Sequence, residues 1–234
     1  MKKALGVLLV FCMLAALPFT LTACQEDTGA PSGGQLPTFE SGDKWVWSYV
    51  MQGETSTLTE EIIGEERVES RDCYVLDMSF DPVLSFSQDE GVSTVTSMKY
   101  WGDKATVIFE VKREMVGEYE GTPFTITVIS SYSSWASLFP LELAKEVETT
   151  QTITQYFDGT QTGEPMVSTQ IYRVDSLEDV TVSAGTFSCW KLVIDDEAGN
   201  VLQIVWWSDE ARTIVKSVDG NGDTVMELLS YSLS

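Results

Sequence analysis

The segment Trp45-Val46-Trp47-Ser48-Tyr49-Val50-Met51 decides the fold class, because its largest side chains stand at every second position. This period of two places them on one face of a β-strand. Runs of the same kind lie at 73–80, 106–111, 124–130, 152–157, 169–174, 190–194, 202–207 and 225–231, and turns rich in Gly, Asn and Asp separate several of them. We expect an all-β fold with little helix, an antiparallel β-meander that forms a curved sheet, half-barrel or barrel-like structure. The one short helix that we expect lies at 134–138 or 141–146.

The chain also matches itself. Cys-Tyr-Val-Leu at 73–76 matches Cys-Trp-Lys-Leu at 189–192, and Tyr-Trp-Gly-Asp at 100–103 matches Trp-Trp-Ser-Asp at 206–209, in the same order. We interpret this as two related units of five or six strands, about 37–138 and 139–234. The units should superpose with Cys73 on Cys189 and Trp101 on Trp207. Chance repetition of aromatic and polar residues in a β-rich chain is the alternative.

The N-terminus predicts export. Lys2 and Lys3 precede an apolar run at 4–17, which is too short for a membrane-spanning helix. The run leads to Leu-Thr-Ala-Cys at 21–24, which resembles the bacterial lipobox. The resemblance implies cleavage before Cys24 and attachment of acyl chains, such as palmitate, to that residue. An ordinary secretory signal followed by a chance cysteine is the alternative.

These features divide the chain into three parts. We expect a lipoprotein signal peptide at 1–23, a flexible tether rich in Gly and Pro at 24–38, and a β domain at 39–234. The mature protein would be exported and held by its lipid on the cell membrane or the outer membrane. The membrane is therefore its first expected partner.

The charge balance excludes several classes of function. The chain carries 14 Lys and Arg residues, 36 Asp and Glu residues and no His, for a net charge of −22. Nucleic acid would repel such a chain, and so would an anionic membrane surface, so attachment must come from acyl chains. Without His, the usual Ser-His-Asp and Cys-His nucleophiles and His-ligated zinc are excluded. We expect no catalytic residue, metal or cofactor.

One resemblance concerns the C-terminal unit. The residues at 182–190, Val-Ser-Ala-Gly-Thr-Phe-Ser-Cys-Trp, together with 206–208, 215–216 and 227–231, resemble a pattern of uncharacterised exported β-rich proteins of bacteria and archaea. That group is similar in outline to the LolA/LolB-like lipoprotein carriers. The resemblance implies an open antiparallel half-barrel around an apolar cavity. The chain departs from the pattern at 209–212, where Asp-Glu-Ala-Arg replaces a Pro-Glu-Val-Gly turn.

Tryptophans and cysteines are the candidate site residues. Trp45, Trp47 and Trp190 lie on the more apolar faces of their strands and could line a pocket for a lipid or another apolar molecule, although an ordinary core would use the same residues. Cys73 and Cys189 could form a disulfide in an exported protein. The run Asp219-Gly220-Asn221-Gly222-Asp223 has the oxygen spacing of a calcium loop but lacks its glycine and its bidentate glutamate, so we interpret it as a hairpin turn.

Three functions remain open. The first is a membrane-anchored lipoprotein that binds or carries an apolar ligand or lipid in its half-barrel. The second is a structural or interaction lipoprotein of the cell envelope with a filled core and no enzymatic activity. The third, supported only by abundant carboxylates, is a glycan hydrolase. The first two differ in whether the inner face of the sheet is empty or packed.

Overall fold

A computed structural model describes residues 34–51, 53–88, 91–106, 109–133 and 137–234, so the lipobox with Cys24 lies outside the described residues. Fourteen strands account for most of them. Their bounds are β1 Lys44–Met51, β2 Glu54–Val68, β3 Arg71–Asp81, β4 Leu84–Gln88, β5 Gly91–Asp103, β6 Glu110–Tyr119, β7 Thr122–Tyr132, β8 Glu146–Phe157, β9 Thr160–Gln161, β10 Met166–Val182, β11 Gly185–Asp196, β12 Val201–Ser208, β13 Thr213–Asp219 and β14 Thr224–Ser232.

The strands close into an antiparallel barrel of twelve strands. Around the ring the order is β10, β11, β12, β13, β14, β1, β2, β3, β5, β6, β7 and β8, and pairing of β8 with β10 completes it. Two further strands lie outside the ring: β4 pairs with β5, and β9 pairs with β8. The predicted all-β antiparallel fold is confirmed, and it is a closed barrel.

The described residues contain no helix. The short helix predicted at 141–146 is wrong, because Ala144 has a φ of 63° and the chain turns there, with the Lys145 amide donating to the Glu142 carbonyl (3.0 Å). The other candidate position, 134–138, lies partly outside the described residues. Within the described part of the chain, no helix is long and apolar enough to cross a membrane.

Each half of the chain supplies six neighbouring strands of the ring. The first half contributes β1, β2, β3, β5, β6 and β7, and the second contributes β8, β10, β11, β12, β13 and β14. The two halves share a bulge in their second strand, between Ile62 and Gly64 and between Val174 and Ser176. They also share the hydrogen bond that begins each half, from the Ile62 amide to the Asp43 carbonyl and from the Val174 amide to the Lys145 carbonyl (both 2.9 Å). The halves are therefore built on one plan.

The strand register aligns the halves residue by residue. Cys73 lies opposite Glu66 and Cys189 lies opposite Glu178, so the expected match of the two cysteines agrees with the register. Trp101 pairs with Lys112, however, and the residue that pairs equivalently with Lys216 is Trp206. The predicted match of Trp101 with Trp207 is wrong by one residue. The shift arises because Asp103, which the sequence pattern matches with Asp209, ends β5 and corresponds to Ser208 in the strand register.

Large side chains close one end of the barrel, which we call the plugged end. Phe39 from the segment before β1 and Leu138, Phe139 and Leu141 from the segment before β8 are buried there. The segment before β1 and the residue Ser234 are fastened together at this end. The buried Asp43 carboxylate accepts hydrogen bonds from the Ser234 amide (2.6 Å) and the Glu40 amide (3.0 Å). The short hairpins that follow β1, β6, β8, β11 and β13 lie at the opposite end.

Candidate functional site

The tryptophans predicted to line a pocket form part of the core. Trp45 and Trp47 have no exposed surface, and their ring centroids lie 6.4 Å apart. Their Nε1 groups donate to the backbone carbonyls of Ala211 (2.7 Å) and Ile214 (3.0 Å). Trp190 is also buried, but it lies on β11, four strands away around the ring. The indoles of Trp45 and Trp47 are thus held by packing and hydrogen bonds on the apolar side of the lumen.

A second part of the lumen is polar, and we call it the polar wall. Its members come from β2, β5, β6, β7, β8 and β10, and all are buried or nearly so. They are Glu60, Tyr100, Glu110, Arg113, Ser130, Tyr132, Thr149, Gln151 and Tyr172. The strands place them inward by alternation, as in β2, where Glu60 stands between the core residues Leu58 and Ile62.

A chain of polar contacts crosses three strands of the polar wall. Arg113 forms an ion pair with Glu110, with 3.2 Å between Nε and Oε2. The Ser130 hydroxyl donates to the Glu110 carboxylate (3.4 Å), and the Gln151 amide donates to both Ser130 and Tyr132 (3.0 Å each). The Tyr132 hydroxyl donates to the Glu110 backbone carbonyl (3.1 Å). The contacts therefore link β6, β7 and β8 inside the barrel.

Burial dominates the electrostatics of the polar wall. Desolvation raises the pKa of Glu110, and the nearby Arg113 guanidinium offsets part of that rise. Desolvation alone raises the pKa of Glu60 well above its ordinary value. The pKa of Tyr100 is also raised well above its usual value, by burial first and then by the Glu110 carboxylate. Glu110, Glu60 and Tyr100 are therefore all shielded from solvent, which disfavours their charged forms.

Four positions of the polar wall in the first half of the barrel have apolar or small counterparts in the second half. The strand registers place Val205 where the first half has Tyr100, and Ile214 where it has Glu110. They likewise place Leu228 where it has Ser130, and only the small Ser217 where it has Arg113. All four residues of the second half are buried. The same arrangement of strands thus folds with uncharged side chains at the positions of Glu110 and Arg113. The charged residues of the polar wall are therefore not required by the fold.

The cysteines are free buried thiols in the structure, and they lie six strands apart around the ring, on β3 and β11. Burial, with smaller contributions from nearby carboxylates, raises the pKa of Cys73 to about 11 and that of Cys189 to about 12. Such thiols are poor nucleophiles at neutral pH. Each donates to the carbonyl two residues earlier in its own strand, at Arg71 (3.6 Å) and Phe187 (3.4 Å).

Two other candidate positions have structural explanations. Residues 219–223 form the hairpin between β13 and β14, where the Asp219 carboxylate accepts from the amides of Asn221 and Asp223 (2.9 Å each). Among the described residues, no group of three or more Cys, Asp or Glu side chains could hold a metal ion. A surface depression of about 700 Å³ lies beside the β2–β3 turn, and four of its charged residues form ion pairs, Arg71 with Asp103 (2.7 Å) and Lys104 with Glu65 (2.6 Å).

Sequence reasoning missed the polar wall. The available signal was a charged residue at an inward position of an alternating strand, as with Glu60 in β2 and Arg113 before Met115 in β6. Such a signal marks a single position only. Pairing of β6 with β7 and of β7 with β8 brings the members together, and no residue pattern specifies those registers.

Comparisons with known proteins give little beyond this geometry. No protein family matches the chain, and no curated protein is similar to it. A solved structure from Bacteroides fragilis NCTC 9343, described as an exported protein with a YmcC-like fold, aligns with 92% of this chain and 100% of its own. The TM-score is 0.37 and the sequence identity is 10%. A likeness of this degree supports no argument about function.

Proposed function

We propose that the protein is an exported lipoprotein, anchored through Cys24, whose barrel is a binding module without enzymatic activity and recognises a small polar ligand at the polar wall. One observation carries the proposal. Glu110 and Arg113 occupy buried positions that the second half of the same barrel fills with Ile214 and Ser217. Burying an ion pair is often no more stabilising than burying apolar residues of similar volume. A function in binding explains why the pair is present.

A lipid ligand fits the lumen less well than the sequence suggested. Trp45 and Trp47 have no exposed surface and no unsatisfied indole N–H, so they offer no free wall to an acyl chain. The opposite wall carries charged and hydroxyl groups, to which an acyl chain offers no hydrogen bond and no charge. Ligand selection therefore depends on hydrogen bonds and charge.

The close packing of Trp45 and Trp47 favours one alternative function. A barrel with a filled lumen could act as an interaction lipoprotein of the envelope, binding through its outer surface. The two functions differ in whether a small molecule resides in the lumen. Native mass spectrometry of the protein released gently from the membranes of its host separates them.

A matched variant makes that measurement specific. We expect the wild-type protein to carry an additional mass that is lost on denaturation, and the Glu110→Met/Arg113→Met variant to lack it. Lys44→Met/Glu61→Met removes an exposed ion pair (3.1 Å) and is the control. Absence of any adduct from all three proteins would favour the interaction lipoprotein.

The proposed anchor has its own test. The described chain begins at Gly34, which pairs with Leu141 at the plugged end. Gly34 follows Cys24 by ten positions, and an extended chain spans roughly 3.3–3.6 Å per residue, so the plugged end would stand within about 35 Å of the lipid. Cys24→Ala should move the protein from the membrane fraction to the soluble exported fraction. An unchanged distribution would contradict the anchor.

A further inference from the structure

We infer that the polar wall takes up a small monovalent cation beside Glu60. This inference rests on the proposed function and names the charge of the ligand. Its starting point is a count of charges in the lumen. The polar wall contains two carboxyl groups, Glu60 and Glu110, and one guanidinium, Arg113, and all three side chains are buried. One negative charge is left without a counterpart when both carboxyl groups are ionised.

The unbalanced carboxyl group is that of Glu60. Arg113 is engaged by Glu110 at 3.2 Å, whereas no Lys or Arg of the described residues lies within 4 Å of the Glu60 carboxylate. Glu60 is only 1% exposed, and its Oε1 accepts no hydrogen bond from the residues that the structure describes. Its partners in register, Trp45 on β1 and Met78 on β3, carry no charge. Glu60 is therefore a buried acid without a counterion in the described part of the chain.

The other titratable groups of the lumen do not remove this imbalance. Four tyrosines are buried or nearly so, and burial raises the pKa of each, so all four are neutral at physiological pH: Tyr49 on β1, Tyr100 on β5, Tyr132 on β7 and Tyr172 on β10. Their hydroxyl groups can serve as oxygen ligands or hydrogen-bond donors but supply no positive charge. Burial likewise raises the pKa of Glu60, which is the response of a carboxyl group that lacks a cation.

A buried carboxyl group of this kind has two ways to avoid an uncompensated charge. It keeps its proton, or it exchanges that proton for a cation: the Glu60 O–H bond breaks, the proton leaves to solvent, and the cation rests on the carboxylate. Oxygen ligands of this type suit hard cations. A divalent ion would require more carboxylate than the single unpaired group provides, so the charge balance selects a monovalent one. Thr149 Oγ1, also buried and without a hydrogen bond from the described residues, adds a further oxygen to the same lumen.

Unfolding midpoints in different chlorides test this inference. The full exported domain is melted at pH 8 in sodium, potassium, ammonium or methylammonium chloride, with choline chloride at equal ionic strength as the reference because choline is too bulky for a buried site. We expect at least one small cation to raise the midpoint by about 2–4 °C, the shift that 1 kcal/mol produces in a domain of this size. A shift in sodium or potassium chloride indicates a metal ion, and a shift in ammonium or methylammonium chloride indicates an ammonium group. The gain should disappear in Glu60→Gln and persist in Glu118→Gln, which alters an exposed carboxylate.

A second measurement needs no variant. Adding the effective chloride to weakly buffered wild-type protein should release up to one proton per chain, and choline chloride should release none. Equal midpoints in every chloride, without proton release, would overturn the inference. Persistence of the cation effect in Glu60→Gln would place the cation elsewhere and would overturn it too. Neither result decides whether mass spectrometry finds a ligand in the lumen. The cation site and the proposed binding function are therefore tested independently.

Discussion

The buried ion pair of the polar wall supports a quantitative prediction. Arg113 and Glu110 face each other at 3.2 Å, with side-chain exposures of 3% and 10%. Removing only the guanidinium, in Arg113→Met, leaves a buried carboxylate without its cation, and such changes cost about 3–5 kcal/mol. Removing both groups, in Glu110→Met/Arg113→Met, eliminates the charge together with its desolvation cost. We expect the double variant to be as stable as the wild type or up to about 4 kcal/mol more stable.

The surrounding hydrogen bonds support the small cost of the double variant. Tyr132 donates to the backbone carbonyl of Glu110, which the substitution keeps. Ser130 loses only its long contact to the carboxylate (3.4 Å) and retains the Gln151 amide (3.0 Å). The second half of the barrel already buries Ile214 at the corresponding place. Two methionines, which are flexible and close in length to the original residues, should therefore pack there.

Urea denaturation followed by far-ultraviolet circular dichroism measures these effects. The wild type, both single variants and the double variant form a double-mutant cycle, whose coupling energy should be several kcal/mol. The cycle on Lys44 and Glu61, an exposed pair, should give about 0–1 kcal/mol. A single Arg113→Met variant no less stable than the Lys44 variant would refute the reasoning, because it would show that Glu110 is not a buried charge held by Arg113.

Three further predictions concern other parts of the barrel. The native pKa of Glu60 is raised, so its contribution to stability is fully present below the pKa of this group in the unfolded chain and is lost as the pH rises through the native pKa. Without small cations, the Glu60→Gln variant should therefore become more stable relative to the wild type between pH 4.5 and pH 8. A difference in unfolding free energy that stays constant over this range would contradict the prediction. Trp47→Ala should cost about 3–5 kcal/mol in chemical denaturation, because Trp47 is fully buried, whereas the half-buried Trp206→Ala should cost clearly less. Asp43→Ala should cost about 1–3 kcal/mol, since it leaves the Ser234 and Glu40 amides without their acceptor, and faster hydrogen exchange of these two amides should accompany the loss.

The fold class was predictable because alternation is a local property. Each strand reports its own two faces, and Trp45, Trp47 and Tyr49 are buried as the pattern indicates. Closure was not predictable in the same way. It depends on β10, whose seventeen residues pair with β8 near one end and with β11 along most of their length. A long strand signals neither a bend nor a second partner.

The internal repeat shows a related limit. Matching residues identified the two halves, and the paired bulges at Gly64 and Ser176 show how closely they agree. The match placed Trp101 one residue wrong, because it paired the aspartates that follow the tryptophans, and these do not correspond in the strand register. A tryptophan pair at 206–207 offers two equally good partners to a single tryptophan. Strand pairing distinguishes them, and composition does not.

The polar wall depends on contacts between distant strands. Glu60, Arg113 and Gln151 look like ordinary surface residues in their own segments. Alternation within each strand places these side chains inward. Whether an inward polar side chain finds a partner depends on the other strands that face the lumen. The ion pair within β6 and the hydrogen bonds that link β6, β7 and β8 supply that information. The sequence contained the parts of the candidate site, but not their assembly.

Closure of the ring also makes its last strand pairing a long-range one. β1 pairs with β14, so Lys44 meets Ser232 only when nearly the whole chain is available to fold. Until then the edges of the growing sheet expose unpaired backbone groups, which are templates for aggregation. Contacts of such large sequence separation slow folding. Deletion of residues 225–234 would remove most of β14 and leave β1 and β13 as permanent open edges, so this short deletion should be as damaging as the loss of a strand from the middle of the ring.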